Sequence, residues 1–376
     1  MRFYLLRLTP PNTTVKKTIQ VSFASSPGIS TTGSYLASYA TPGSKEWTSY
    51  PNGIYDPAAH NIIFDLPITA YSTPVGAQTV TIEGPALIDL VQAANYAPTG
   101  PTAKNPTNAF ASWTIELYGG MSPEGLPLST PAAGQPAPGL LATGEVFEAF
   151  GNWVGTDMSL SFLIVPGGND KARPGLVFNW LPGQPIAQAL GAMFSVAYPG
   201  RTQVIQVSPD LVGPVHGYPC IAKTLAGMAQ AILDMTEGNK NGMPVGYPGV
   251  EIYIQGGTIY ATDTTQTKNL KAVEISLDSI IGQPVWTGSG VIAINVQQRA
   301  DIQVGGIIKL PTGKSYGGLP GMVTTSAIPG NYAFDLNLAF NGPFIVKSIR
   351  HLGDFRGTSG LDWMTVIEAI ALSELI

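Results

Sequence analysis

The sequence FIVKSIRHLGDFR at residues 344–356, followed by WMT at residues 363–365, decides the fold predicted for this chain. Its short apolar and β-branched runs are separated by Gly and Asp, which is typical of strands joined by turns. Two upstream segments, IIGQP at 280–284 and VGGIIKL at 304–310, continue the same pattern. The C-terminal region therefore predicts successive strands of a small barrel.

The composition points in the same direction. The chain has 376 residues with 44 Gly and 32 Pro, and only 11% of the residues are charged while 44% are hydrophobic. The many Gly and Pro residues indicate frequent turns, and the low charge indicates few charged, solvated faces. Both features favour a β-rich, multi-domain protein. A weakly polar surface suits a subunit that buries surface against neighbours, so we expect an oligomer.

Charge and cysteine content exclude several classes. The net charge is -5, and no basic run is longer than Lys16-Lys17, so direct binding of nucleic acid is disfavoured. Cys220 is the single cysteine, which rules out an internal disulfide and a zinc site of the usual spacing. No apolar run reaches the length of a membrane span, and residues 1–8 lack the features of a secretory signal. We expect no metal, no cofactor and no membrane insertion, and assembly in a cytoplasm.

The first of three predicted parts, residues 1–165, is a β-barrel domain. Short β-branched and aromatic runs alternate with Gly, Pro, Asn and Ser, and a helical spacing at 85–92 interrupts them. The predicted strands are residues 18–23, 61–66, 78–83, 112–118 and 157–165. Residues 25–56 and 97–108 predict long loops, which in a compact domain are usually functional or mobile.

The second part, residues 166–246, predicts a small α/β module that connects the two β regions. Helices are predicted at 185–194 and 220–235, with a strand at 202–207 between them. The second helix carries one apolar stripe, which we interpret as a core face. The stripe consists of Ile221, Leu225, Met228, Ile232 and Met235. Cys220 is interpreted as a small apolar residue near the start of this helix.

The third part, residues 247–376, predicts a second β-barrel after a linker at 239–249. Gly256-Gly257 permits a tight hairpin between strands 250–255 and 258–262. Further strands are predicted at 291–296, 306–310, 332–340, 344–349 and 363–372. The fold class is therefore mainly β, with two barrels joined by a small α/β module.

Candidate chemistry is sparse. His351 and Asp354 begin a general-base arrangement, but no nucleophile motif accompanies them. We interpret Arg350, His351, Asp354 and Arg356 as a hydrogen-bonded polar turn or a subunit contact.

Other polar and aromatic residues receive structural interpretations. His60 and His216 are isolated, so a metal site there would need residues remote in the chain. Glu145, Glu148 and Asp157 are carboxylates of the type that sugar hydrolysis uses in pairs, but such residues are also ordinary at strand ends. The six Trp residues are interpreted as core or interface anchors. We predict that the chain is not an enzyme.

The C-terminal sequence resembles baseplate hub proteins of contractile-tailed bacteriophages. The resemblance rests on residues 279–310, with an "IG.P" turn and a "vGg.v.L" strand, and on residues 342–365. The matching structural positions are Ile281, Gly282, Pro284, Gly305, Gly306, Arg350, His351, Gly353, Asp354, Arg356 and Trp363. The sequence departs from the pattern at residues 297–301, where QQRAD replaces the expected Asn-Pro turn.

The resemblance implies two tail-tube-like barrels per chain and a homotrimeric ring of six barrels. Such a ring adapts a sixfold tail tube to a threefold central spike. Closed rotational symmetry with heterologous contacts between unlike surfaces explains why two barrels in one chain would be useful. Its implied partners are the tail tube protein, the central spike protein and inner baseplate or wedge proteins, with the tape measure protein as a further candidate. The implied location is the tail baseplate of a virion, where DNA passes through the channel during ejection without specific binding. The alternative left open is a β-rich carbohydrate-binding or hydrolytic tail module whose long loops hold the site.

Overall fold

The computed structural model describes residues 1–11, 43–51, 54–72, 77–97, 113–121, 138–168, 175–238, 246–263, 271–288, 290–310 and 343–372. Its strands are β1 Arg2–Thr9, β2 Lys45–Thr48, β3 Asn61–Ile68, β4 Gln78–Glu83, β5 Thr114–Met121, β6 Gly139–Val154, β7 Asp157–Val165, β8 Leu176–Trp180, β9 Gln203–Gln206, β10 Tyr218–Ala222, β11 Glu251–Gln255, β12 Thr258–Thr262, β13 Val273–Glu274, β14 Val285–Gly288, β15 Val291–Gln297, β16 Ile307–Lys309, β17 Pro343–Asp354 and β18 Trp363–Ala371. The α-helices are Leu87–Val91, Ala93–Tyr96, Ile186–Ala197 and Leu225–Thr236. The fold class, mainly β, is confirmed.

One 13-stranded sheet runs through both β-rich regions. Its main path is β14-β15-β18-β17-β3-β4-β7-β6-β5-β1-β2, with β16 paired to β17 and β13 paired to β16. All of these pairs are antiparallel except β13 with β16. The strand pairing therefore joins the N-terminal and C-terminal regions, whereas closure of each region into a separate barrel stays a prediction.

The pairing of β3 with β17 makes this connection. Ile68 lies opposite Ile349, Leu66 opposite His351, and Phe64 opposite Gly353. The two strands are almost 300 residues apart in the chain, so only the tertiary fold brings them together.

The described residues form three apolar cores. The N-terminal core contains Phe64 and Leu66 of β3 and is reached by Trp363 of β18. The C-terminal core contains Ile349 of β17 and Ile68, the last residue of β3. Strand β3 thus contributes to both cores, because alternate residues of a strand share one face and its length extends from one core to the other.

The connecting module has the third core, built from β8 and the helices Ile186–Ala197 and Leu225–Thr236. Leu225, Met228, Ile232 and Met235 are buried along one face of the second helix, which confirms their interpretation as a core face. Thr224 caps this helix by accepting a hydrogen bond from Gly227 N–H (3.1 Å).

The start of that helix was predicted wrongly. Cys220 and Ile221 lie in strand β10, which pairs with β8, and Ile221 is 77% exposed. Ile221 lies four residues before Leu225 and so matches the helical spacing by chance. A single apolar residue is compatible with the 3.6-residue period of a helix and with the two-residue period of a strand.

The Gly-Gly hairpin is confirmed. Gly256 and Gly257 have φ values of 56° and 79°, and they connect the antiparallel strands β11 and β12. Strand β12 also pairs in parallel with β9, so the hairpin completes the small sheet of the connecting module.

Two predicted strands, 18–23 and 332–340, lie outside the described residues, as do 239–245 of the predicted linker and most of the loops 25–56 and 97–108. The loop prediction is wrong at Lys45–Thr48, which forms strand β2 against β1. Within the part of the chain that the structure describes, no helix has the length and apolar character needed to cross a membrane. The three-domain division stays a prediction.

Gly353 is a position where the fold requires glycine. A Cβ atom there would lie 2.2 Å from the Phe64 ring. Replacing Gly353 with Ala should therefore lower the free energy of unfolding by about 1–3 kcal/mol through overpacking. The control is Gly360→Ala, because a Cβ atom at Gly360 has nothing within 4 Å. Urea unfolding of both variants measures the difference; equal stabilities would contradict the packing argument.

Candidate functional site

Six of the motif positions meet where the β17–β18 hairpin joins the N-terminal core. We call this region the junction, and it contains Arg350, His351, Gly353, Asp354, Arg356 and Trp363. The hairpin positions them because β17 pairs with β3 on one side and β18 on the other. Its chemistry depends on which side chains face the interior.

His351 faces the interior and is 1% exposed. Its Nδ1–H donates to Gln298 Oε1 (2.9 Å), while Gln298 Nε2–H donates to Leu352 O (3.2 Å) and Met364 O (2.8 Å). This arrangement assigns the imidazole proton to Nδ1. Burial lowers the pKa of His351 to about 3, so the ring is neutral at physiological pH.

The hydrogen-bond network continues from His351 to the segment that follows β15. His351 Nδ1 lies 3.0 Å from Thr365 Oγ1, which accepts from Arg299 N–H (3.2 Å). The Arg299 guanidinium is buried and forms a bidentate ion pair with Asp301, with distances of 2.7 and 2.5 Å. The QQRAD sequence at 297–301 therefore supplies one polar partner of His351, Gln298, and β18 supplies the other, Thr365.

Asp354 serves a different purpose from His351. Its Oδ1 accepts from the backbone N–H groups of Arg356 (3.2 Å) and Gly357 (3.1 Å), which stabilises the turn after β17. The pairing of His351 with Asp354 in one polar turn is therefore wrong. His351 is a buried residue within β17, whereas Asp354 is the last residue of β17 and its side chain binds the turn that follows.

Arg2 fixes this turn from the other end of the chain. Its guanidinium donates to the carbonyl oxygens of Asp354 (2.7 Å), Phe355 (3.2 Å), Gly357 and Ser359 (2.8 Å). Arg356 extends in the opposite direction and donates to Ala59 O (2.6 Å). The turn is thus held by two guanidinium groups that bind backbone oxygens, a geometry that the five donors of Arg allow.

Arg350 lies on the strand and not in the turn. It forms a bidentate ion pair with Asp65 of β3 (2.7 and 2.5 Å), which raises the pKa of Arg350. Both side chains are solvent-accessible, so the pair reinforces the β3–β17 register but contributes little energy.

Trp363 anchors the hairpin to the N-terminal core. Its ring packs edge-on against Phe64 at 5.1 Å between centroids, and its Nε1–H donates to Gly120 O (2.9 Å). The buried indole therefore has its polar atom satisfied, as burial of Trp normally requires.

The remaining motif positions lie away from the junction and shape the C-terminal strands. Ile281 N–H donates to Asn295 O (2.8 Å), and Gly282 has a φ of 79° in the turn that leads through Pro284 to β14. Gly305 has a φ of 76° and, with Gly306, exchanges backbone hydrogen bonds with Val346 of β17. At these positions the observed contributions are backbone hydrogen bonds and backbone conformation.

The carboxylates considered for hydrolysis do not converge at Asp157. Asp157 lies at the tip of the β6–β7 hairpin opposite Val154, six residues from Glu148 along β6. At about 3.3 Å per residue this is roughly 20 Å, well beyond the spacing of paired carboxylates in glycosidases. Among the described residues, no group of three His, Cys, Asp or Glu side chains is placed to hold a metal ion.

Sequence reasoning missed the roles of Arg2, Gln298 and Arg299. The partners of Arg2 and Gln298, and the Thr365 hydroxyl that accepts from Arg299 N–H, are remote in the chain. Sequence reasoning interpreted all six Trp residues as core or interface anchors. Trp153 is 63% exposed and is therefore not a core residue, while an interface role for it stays a prediction. In the structure, the alternation of burial along β6 stops at Phe150, and residues 150–154 are all exposed.

No protein-family model and no curated protein matches this sequence. Three solved structures share 10% identity with it. The E. coli c3393 protein, a component of the type VI secretion system with structural similarity to T4 bacteriophage tail proteins gp27 and gp5, has a TM-score of 0.43 over 84% of this chain and 74% of its own. The 43 kDa tail protein of prophage MuSo2 from Shewanella oneidensis has a TM-score of 0.42, with 84% and 98% covered. A tail protein from Neisseria meningitidis MC58 has a TM-score of 0.40, with 83% and 91% covered.

Burial of His351 predicts a pH-dependent stability. The unfolded chain binds a proton near pH 6.5, whereas the folded chain binds it only near pH 3, so acid favours the unfolded state between these values. Below about pH 6.5, His351 should lower the free energy of unfolding by up to about 1.4 kcal/mol per pH unit. Denaturant unfolding from pH 7 to pH 4 measures this slope. His351→Gln should reduce it and His60→Gln, at an exposed position, should not; parallel slopes for wild type and His351→Gln would contradict the prediction.

Arg2 and Arg350, which both bind the region around the β17–β18 hairpin, should differ in how much they stabilise the fold. Arg2→Ala leaves the turn carbonyls at residues 354–359 without their donor and should lower the free energy of unfolding by about 1–3 kcal/mol. Arg350→Ala removes a solvent-accessible ion pair and should cost less than about 1 kcal/mol. Thermal and urea unfolding compare the two variants, and a larger loss for Arg350→Ala would refute this assignment.

Proposed function

We propose that this chain is a structural hub subunit of a contractile phage tail. In this proposal three copies form a ring that adapts the sixfold tail tube to the threefold central spike and surrounds the DNA channel. The supporting sequence feature is the resemblance at residues 279–310 and 342–365. The observation that carries the proposal is the continuous sheet through β3 and β17, on which two apolar cores are arranged.

A symmetry adaptor needs two similar β bodies held at a fixed angle within each subunit. If the bodies moved independently, three chains would not present six equivalent positions to a tube. Here the six residue pairs between β3 and β17 and the indole of Trp363 provide a rigid connection. Such a connection supports a mechanical function.

The chemistry of the junction supports the same conclusion. The imidazole of His351 is buried and has a pKa far below neutral, so it is a poor general base at physiological pH. Asp354 and Arg356 bind backbone atoms of a turn. We therefore assign these groups to holding the two β regions together and propose no reaction for them.

The proposed partners follow from the proposed position in a tail baseplate. They are the tail tube protein, the central spike protein and inner baseplate proteins, with the tape measure protein as a further candidate. Assembly would take place in the host cytoplasm. A chain with a net charge of -5 suits a channel through which DNA slides, because like charge disfavours the phosphate contacts that would retain it.

Native mass measurement tests the hub proposal. The purified chain should show the mass of three 39.4 kDa chains, and negative-stain images should show a ring with an open channel. Trp363→Asp should abolish the ring, because a charge would be buried against Phe64. A chain that stays monomeric at all accessible concentrations and binds polysaccharide would instead support the carbohydrate-binding alternative.

A further inference from the structure

The tip of the β6–β7 hairpin exposes large apolar side chains. Every residue from 150 to 157 is exposed, including Phe150 (46%), Trp153 (63%) and Val154 (76%). We call these three residues the apolar tip. The helix Leu87–Val91 packs beside it at Gly151, where a Cβ atom would lie 2.9 Å from Leu90 O, and adds the exposed side chain of Val91. An apolar cluster of this kind on a soluble subunit marks a contact surface.

The indole of Trp153 can be buried without a new polar partner. Its Nε1–H already donates to Gly155 O within the turn of the hairpin (2.9 Å). Burial of an indole is costly when its N–H loses its acceptor, so an internal acceptor allows the ring to enter an apolar site. The apolar tip is therefore suited to insertion into a dry cleft.

A cleft with matching properties lies at the other end of the same hairpin. It has a volume of about 280 Å³, and its walls include Ile68, Tyr71, Phe147, Leu163 and Ile254. None of the described residues that line the cleft is charged. The volume is just below the roughly 300–1,000 Å³ range of small-molecule sites, so the cleft suits one or two large side chains.

The tip and the cleft of one chain cannot meet. Trp153 pairs with Met158, and the cleft begins at Leu163, five residues further along β7. Because the strand rises about 3.3 Å per residue, the two sites are about 17 Å apart along a straight hairpin. Any contact between them must therefore join two chains.

We propose that the apolar tip of one copy inserts into this cleft of the next copy. The two surfaces are unlike, so the contact is heterologous and can close into a ring by rotation. The inference rests on the proposed ring and adds to it the surfaces through which neighbouring chains bind. Trp153 is the central anchor, and the apolar side chains beside it exclude water from the contact.

Single variants on each surface test the contact in the full-length chain. Val154→Glu places a charge on the tip, and Ala77→Trp fills the cleft from an exposed position on its wall. Each should weaken self-association at least about tenfold, measured by mass photometry or sedimentation. Val196→Glu is the matched control, because Val196 is an equally exposed valine (84%) on the helix Ile186–Ala197. Melting temperatures close to that of the wild type verify that all three variants fold.

Mixing the two defective variants gives a sharper test. Val154→Glu keeps an intact cleft and Ala77→Trp keeps an intact tip, so an equimolar mixture retains one functional contact per pair. The mixture should form 1:1 dimers that do not grow, at concentrations where each variant alone, weakened at least about tenfold, is monomeric. A contact between identical surfaces would give no such rescue.

The outcomes separate this inference from the hub proposal. A trimeric wild type with trimeric Val154→Glu and Ala77→Trp variants would overturn the tip-in-cleft contact and leave the ring intact. Loss of assembly in Val196→Glu as well would also overturn the contact, since the effect would then not be specific to the tip. A wild-type chain that never associates would overturn both proposals.

Discussion

The architecture depends on the pairing of two strands from opposite ends of the chain, β3 and β17. The pairing joins residues 63–68 to residues 349–354 and makes one sheet from two β regions. Ile68 and Ile349 lie in the C-terminal core, while Phe64 belongs to the N-terminal core. The boundary between the two cores therefore lies within a single pair of strands, and the backbone hydrogen bonds that cross it fix the relative positions of both.

A buried polar network marks this boundary. His351 lies opposite Leu66, and its partners Gln298 and Thr365 come from the two other segments that meet there. A shift of one residue in register would place the imidazole on the solvent face and leave the Gln298 amide without its buried partner. We infer that the network specifies the register, whereas the apolar cores on either side supply most of the stability.

The sequence predicted the strands and turns whose formation depends on residues close together in the chain. The strands β4 and β7 and the turn at Gly256-Gly257 follow from alternation and from the freedom of glycine at positive φ. Strand β2 was missed because a four-residue edge strand forms only against β1 as a template. The sequence identified the polar residues of the junction but not their contacts. Arg2 and its acceptors on the turn, for example, are more than 350 positions apart.

The late position of β17 has a consequence for synthesis of the chain. While the ribosome makes the first 342 residues, strand β3 lacks its C-terminal neighbour and one edge of its backbone hydrogen-bonding groups is open. An open apolar edge can pair with another nascent chain, and contacts this remote in sequence form slowly. Strands β17 and β18 thus close this edge of β3, and a chain truncated before β17 should accumulate as an aggregation-prone intermediate.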